Sequence, residues 1–95
     1  MTYEDLQFAL KEFDLPEQVT LKTIRSRHRE LVLKYHPDKG ASPDNEKIRR
    51  INAAYKVLND YVAQYRFDFS KNSFLEHHPE ERIREQFYDV GLWGG

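Results

Sequence analysis

Apolar residues recur along the first two thirds of the chain at spacings of three, four and seven, the period of helices that bury one face. In the first segment Tyr3, Leu6, Leu10 and Phe13 share such a face, with Phe8 and Ala9 beside it. Thr2 can cap its start, Glu4 and Asp5 suit the positive end of a helix dipole, and Pro16 bars continuation. Helix I is therefore expected from Thr2 to about Phe13. A second stripe, Leu21, Ile24, His28, Leu31, Val32 and Tyr35, begins after the capping candidate Thr20. It must stop at Tyr35 or His36, because Pro37 turns the preceding residue away from the α region and offers no N–H. The third stripe, Ile48, Ile51, Ala54, Tyr55 and Leu58 with Val57 at its margin, follows Ser42, Pro43 and Asp44. Those three read as a hydroxyl cap, a proline at the first helical position and an acid in the first turn. Helix III is expected to end at Asp60 or Tyr61, giving an antiparallel hairpin of helices II and III with helix I packed across it.

Beyond Tyr61 the pattern weakens. Val62 to Asp68 reads as a short fourth helix, Phe69 to His77 as a loop, and Pro79 to Asp89 as a fifth helix begun by Pro79, Glu80 and Glu81. Gly91 would close it, leaving Leu92 and Trp93 on a tail between glycines. Ile83, Phe87, Val90, Leu92 and Trp93 form an apolar set that a lone helix of about 11 residues could not keep stable in water. Residues 69–95 are thus expected to be an extension packed on residues 1–68, or else to bind a partner. Covering helix II would make the extension autoinhibitory. The expected fold class is all-α.

Composition narrows the setting. Ninety-five residues make one small domain. Without cysteine, stability must come from apolar packing, in keeping with a reducing, cytoplasmic location. The acids near the amino terminus reverse the basic start of a signal peptide, and no apolar run approaches membrane-spanning length. Net charge is −1 but unevenly placed. Residues 22–34 carry Lys22, Arg25, Arg27, Arg29 and Lys34 against the single acid Glu30. Such an island can attract an acidic protein, a nucleic-acid backbone or an anionic membrane, and charge alone does not choose among them.

Between the second and third helices stands Tyr35-His36-Pro37-Asp38-Lys39. Proline fixes the backbone there and holds His36 and Asp38 outward in few orientations, which lowers the entropy cost of docking. Asp38 can accept a bidentate pair from an arginine, and His36 can make a hydrogen bond that fixes the loop. His-Pro-Asp after a basic helix resembles the J-domain of the DnaJ family. So does its context: Ile24, Leu31-Val32-Leu33-Lys34-Tyr35 before it and Ile48-Arg49-Arg50-Ile51-Asn52-Ala53-Ala54-Tyr55-Lys56-Val57-Leu58 after it. The resemblance covers roughly Tyr3 to Asp68. It implies a co-chaperone that docks transiently on a DnaK-type chaperone and stimulates its ATP hydrolysis, while nucleotide and catalytic groups belong to that partner. The docking residues it implies are His36, Pro37, Asp38, Lys39, Arg25, Arg29, Lys34 and Lys22. His28 departs from the family's aromatic residue, Arg27 from a small one, and Glu30 from a basic one. The Gln-Lys-Arg run of the family's fourth helix is replaced by Val62-Ala63-Gln64.

Other readings make different demands. A J-domain serving only as a scaffold would keep the loop without stimulating hydrolysis. A helical nucleic-acid binder would use the basic helix, but Asp38 opposes phosphate and a pI of about 6.4 gives little general attraction. An enzyme is disfavoured because no nucleophile triad, metal-ligand array or phosphate loop stands at workable spacing, and no cofactor is implied. His28 is expected to border the core, and His77-His78 lack further metal ligands. Phe87, Leu92 and Trp93 offer a surface for a client or targeting protein, and the chain is expected to be a monomer without membrane attachment.

Overall fold

A computed structural model describes residues 1–89, with side chains as far as Phe87. All regular structure among the described residues is helical: α1 (Tyr3–Glu12), α2 (Leu21–Tyr35), α3 (Asn45–Gln64), α4 (Lys71–His77) and α5 (Pro79–Asp89). The chain divides into two compact units, Met1–Tyr65 and the segment from Arg66 onward.

In the first unit the caps form where short polar side chains can reach unpaired backbone groups. Thr2 Oγ1 accepts from the Asp5 N–H at 3.1 Å while Asp5 Oδ2 accepts from the Thr2 N–H at 2.9 Å, a reciprocal capping box. The end of α1 is closed by Asp14 in the left-handed region, φ 51°, which lets the Leu15 N–H reach the Leu10 carbonyl at 2.9 Å. Thr20 Oγ1 caps α2 by accepting from the Thr23 N–H at 3.1 Å. Helix α3 begins two residues after Pro43, because Asp44 is the cap: its Oδ1 accepts from the Lys47 N–H at 3.0 Å.

Helix α3 is the common partner, with α1 and α2 each packed along it. Tyr35 meets the start of α3 through Asp44, and His28 meets Asn52 and Tyr55 one turn or more further on, so α2 and α3 run antiparallel. Glu12 meets Lys47 and Arg50, whereas Leu6 and Leu10 share a groove with Leu58 and Val62. That places α1 antiparallel to α3 as well. The buried core is Ala9, Phe13, Ile24, Ile51, Ala54 and Leu58, with Phe13 and Ile51 wholly enclosed. At about 25 cal/mol per Å² of apolar surface removed from water, these side chains supply most of the force holding three short helices together. His28 borders this core. Its ring stacks on Tyr55 at 3.8 Å between centroids, lies 6.1 Å from the nearly parallel ring of Phe13, and has Nε2 3.3 Å from Asn52 Oδ1. Phe8, expected beside the apolar face of α1, is 71% exposed, because Ala9 and Phe13 centre that face about a quarter turn away.

The fourth helix differs from expectation. Residues 62–68 are not a separate helix: α3 continues through Gln64, since Val62 extends its apolar stripe one further turn. The short helix instead spans Lys71–His77, within the stretch expected to be a loop. Ser70 starts it by accepting from the Ser73 N–H at 3.2 Å, and Asp68 Oδ1 accepts from the Ser70 N–H at 2.9 Å, holding the Asp68 carboxyl below its ordinary pKa. His77 and His78 finish it, with their Nδ1 atoms 2.7 Å and 3.1 Å from the carbonyls of Ser73 and Phe74. These two histidines serve the helix end, and no group of three metal-ligating side chains occurs among the described residues. Helices α4 and α5 pack together, joined by a Lys71–Glu85 ion pair. The expected tail of Gly91, Leu92 and Trp93 lies outside the described residues.

Candidate functional site: the α2–α3 loop and the basic face

The loop is closed by hydrogen bonds that return to the last turn of α2. The Gly40 N–H donates to the His36 carbonyl at 3.1 Å, the Ser42 N–H to the Lys34 carbonyl at 2.8 Å, and the Asp44 N–H to the Tyr35 carbonyl at 3.1 Å. These carbonyls have no partner within the helix, so the loop satisfies groups that would otherwise need water. Inside the turn, His36 Nδ1 accepts from the N–H groups of both Asp38 and Lys39, at 3.1 Å and 3.3 Å. That arrangement requires the imidazole to carry its proton on Nε2. His36 therefore fixes the turn by a hydrogen-bonding ring, but that ring turns into the loop instead of standing outward as expected, because the Asp38 and Lys39 N–H groups point at Nδ1.

Gly40 is needed for steric reasons. A β-carbon there would lie 2.5 Å from the Lys34 carbonyl oxygen, 2.6 Å from the His36 nitrogen and 2.9 Å from the His36 oxygen, all backbone atoms. Pro37 and Asp38 ride on the outside of this turn, both exposed. Among the described residues the Asp38 carboxylate makes no hydrogen bond or ion pair, so its charge is available to an incoming cation.

Lys22, Arg25 and Arg29 fall on one exposed face of α2, three and four residues apart, and none has an acidic partner among the described residues. Glu30 pairs instead with Arg27, at 3.6 Å, and so does not neutralise that face. Lys34 lies about a third of a turn away from Lys22 and stands 5.2 Å from the centre of the Tyr35 ring, on the flank nearer the loop. Lys39 is exposed in the loop itself. The structure thus groups Lys22, Arg25 and Arg29, and separately His36, Pro37, Asp38 and Lys39, with Lys34 between the two groups. Leu33, not singled out from the sequence, is 67% exposed and lies on the same face as Lys22 and Arg29. Its spacing of four from Arg29 is a signal in the sequence that could have placed it on that face.

Tyr55 is partly buried against the His28 ring, a packing role. No helix among the described residues is long and apolar enough to cross a membrane.

An antiparallel helical hairpin with a proline-bearing, internally locked loop and a basic first helix defines a J-type hairpin module. The family model of the DnaJ domain matches residues 11–68, and the chain belongs to that family. It is 38% identical over 55 residues to DnaJ homolog subfamily B member 9 of Mus musculus, covering 57% of this chain and 25% of the relative. It is 31% identical over 80 residues to the chaperone protein DnaJ of a Nitratiruptor species, covering 80% of this chain and 21% of the relative. With the chaperone protein DnaJ of Aliarcobacter butzleri it shares 40% identity over 58 residues, 59% of this chain and 16% of that one. The match therefore spans about a quarter or less of these relatives' length. No solved structure matches the chain significantly.

Proposed function

We propose that this protein is a cytoplasmic co-chaperone that docks on a DnaK-type chaperone through the exposed face of α2 and the His36-Pro37-Asp38 loop, and so stimulates ATP hydrolysis by that partner. The observation that carries the reading is the exposed Asp38 carboxylate, unpaired among the described residues, on a loop locked by its own hydrogen bonds and following the exposed bases Lys22, Arg25 and Arg29 of α2. Lys22, Arg25 and Arg29 steer the encounter with an acidic surface, so association is fast at low salt and weakens as salt is added. Leu33 gives that face an apolar contact. Asp38 then pairs with an arginine of the partner, and Lys39 and Lys34 flank the contact.

Stimulation requires that docking favour one conformation of the chaperone over another, a coupling usually of about 1–3 kcal/mol, or roughly 5- to 150-fold. Single-turnover ATP hydrolysis by a DnaK-type chaperone from the same cell is the test. Wild-type protein accelerates hydrolysis and Asp38→Asn does not. Failure of folded wild-type protein to stimulate any such chaperone sinks the reading and shifts weight to a scaffold role. A client or targeting protein would be held by the apolar side chains that follow Tyr65, among them Phe87 with Leu92 and Trp93. A photo-crosslinker placed at position 87 should then capture it in the chaperone cycle.

A further inference from the structure

The face of Tyr35 carries two ammonium groups, Lys34 Nζ at 5.2 Å and Lys47 Nζ at 5.6 Å from the ring centre. Two like charges over one ring repel unless one is compensated, and among the described residues Lys47 has an acidic partner and Lys34 has none. Its Nζ donates to Glu12 Oε1 at 2.8 Å, and the same oxygen accepts from Arg50 Nε at 3.3 Å. The Lys47 side chain is 24% exposed and Glu12 21%, so the pair is largely shielded from solvent. The Glu12 carboxyl is held below its ordinary pKa, chiefly by the hydrogen bond from Lys47, so it stays ionised into more acid conditions than a free glutamate. Lys47 also reaches Tyr35 along the backbone: its N–H donates to Asp44 Oδ1 at 3.0 Å, and the Asp44 N–H donates to the Tyr35 carbonyl at 3.1 Å. Tyr35 is the residue on which the loop begins.

We infer that Lys47 is a positioning residue for the His36-Pro37-Asp38 loop, pinning Tyr35 from the start of α3 while Glu12 neutralises its charge. Lys47 does not itself dock, because its ammonium is engaged inside the bundle, unlike those of the exposed bases on α2. The claim that this sets co-chaperone output rests on the function proposed above. The claim that it holds the loop does not.

The two roles separate in kinetics. The basic face of α2 docks whether or not the loop is ordered. A loosened loop therefore lowers the share of docked complexes in which Asp38 is engaged, and so the maximal stimulation, whereas loss of a base on the α2 face weakens half-saturation and leaves the maximum in place.

Lys47→Met keeps the aliphatic stem and leaves Arg50 to hold Glu12, so the helices stay packed. In amide hydrogen exchange on the full chain, this variant should exchange the Gly40, Ser42 and Asp44 amides at least fivefold faster, with the amides of Ile51 and Ala54 unchanged. Maximal stimulation should fall at least threefold, and Lys47→Arg should restore both slow exchange and stimulation. Unchanged exchange at Gly40, Ser42 and Asp44 overturns the inference whatever hydrolysis does. A change in half-saturation with undiminished maximal stimulation overturns it too, by making Lys47 a docking base. If wild-type protein stimulates no chaperone, the co-chaperone reading falls, and the exchange measurement still decides whether Lys47 holds the loop.

Discussion

Residues 1–65 and residues 66–95 carry similar numbers of aromatic side chains, seven and six, but 14 against four leucines, isoleucines and valines, and their described parts dispose of apolar side chains in opposite ways. The first unit encloses six apolar residues around α3, with Phe13 and Ile51 cut off from solvent altogether. Among the described residues of the second unit no side chain is fully buried, and Phe69 is 92% exposed. Helix α4 has seven residues and α5 eleven. Two short helices present too narrow a surface to surround a side chain, whereas three can enclose one between them. The first unit therefore owes its shape to apolar burial, whereas the described residues of the second are tied by caps, the Lys71–Glu85 pair and the Phe74–His78 ring contact among others.

The largest effect that sharpens this contrast is expected at Phe13. Phe13→Ala should cost about 3–5 kcal/mol, a large part of the stability of a small domain, and denaturant unfolding followed by circular dichroism will show it. A loss under about 1 kcal/mol would mean that the first unit is not held by its core. Next comes Gly40→Ala, which places a methyl group against three backbone atoms and should destabilise by about 1–3 kcal/mol. It should reduce stimulation of the chaperone as well, because the loop cannot yield without releasing the α2 carbonyls.

Glu12→Gln tests the polar contribution within the first unit. Since the Glu12 carboxyl is held low when folded, its ionised pair adds stability above the pH range where an unfolded glutamate titrates, about 4.3. That stability is lost as pH falls through the lower folded value. Wild type should exceed the variant by about 1 kcal/mol at neutral pH, and the gap should close in acid when melting is followed against pH. Smallest is Phe69→Ala, expected within about 0.5 kcal/mol of wild type by the same unfolding measurement. A larger loss there would erase the contrast between the units.

The same contrast governs what the sequence reveals. Where a helix buries a face, period and caps agree: Thr2, Thr20 and the stripe from Ile48 to Leu58 mark α1, α2 and α3, and Pro37 ends α2 where a proline must. Where burial fades, period is no guide. Val62 prolongs α3 because it still touches the core, and α4 is announced only by Asp68 and Ser70, whose capping bonds are local. A reading based on apolar spacing passes over such a helix. Around the α2–α3 loop and on the basic face of α2, only part of the arrangement was legible. The Arg27–Glu30 pair and the displacement of Lys34 follow from helical spacing within α2, whereas the exposure of Leu33 depends on which way α2 faces α3. The link from Glu12 to Lys47 spans 35 residues and leaves no periodic trace.

That α1 and α2 both rest on α3 has a consequence for the order of assembly. Contacts between α2 and α3 close over a short connection, the loop of residues 36–44, whereas α1 reaches α3 only across the whole of α2. Loop closure favours the shorter connection, so the hairpin should be largely formed at the folding barrier and α1 should attach after it. In a chevron experiment Glu12→Gln should then leave the refolding rate nearly unchanged and speed unfolding, while Ile51→Val slows refolding. The hairpin that carries the His36-Pro37-Asp38 turn would be the first part of the chain to acquire its form.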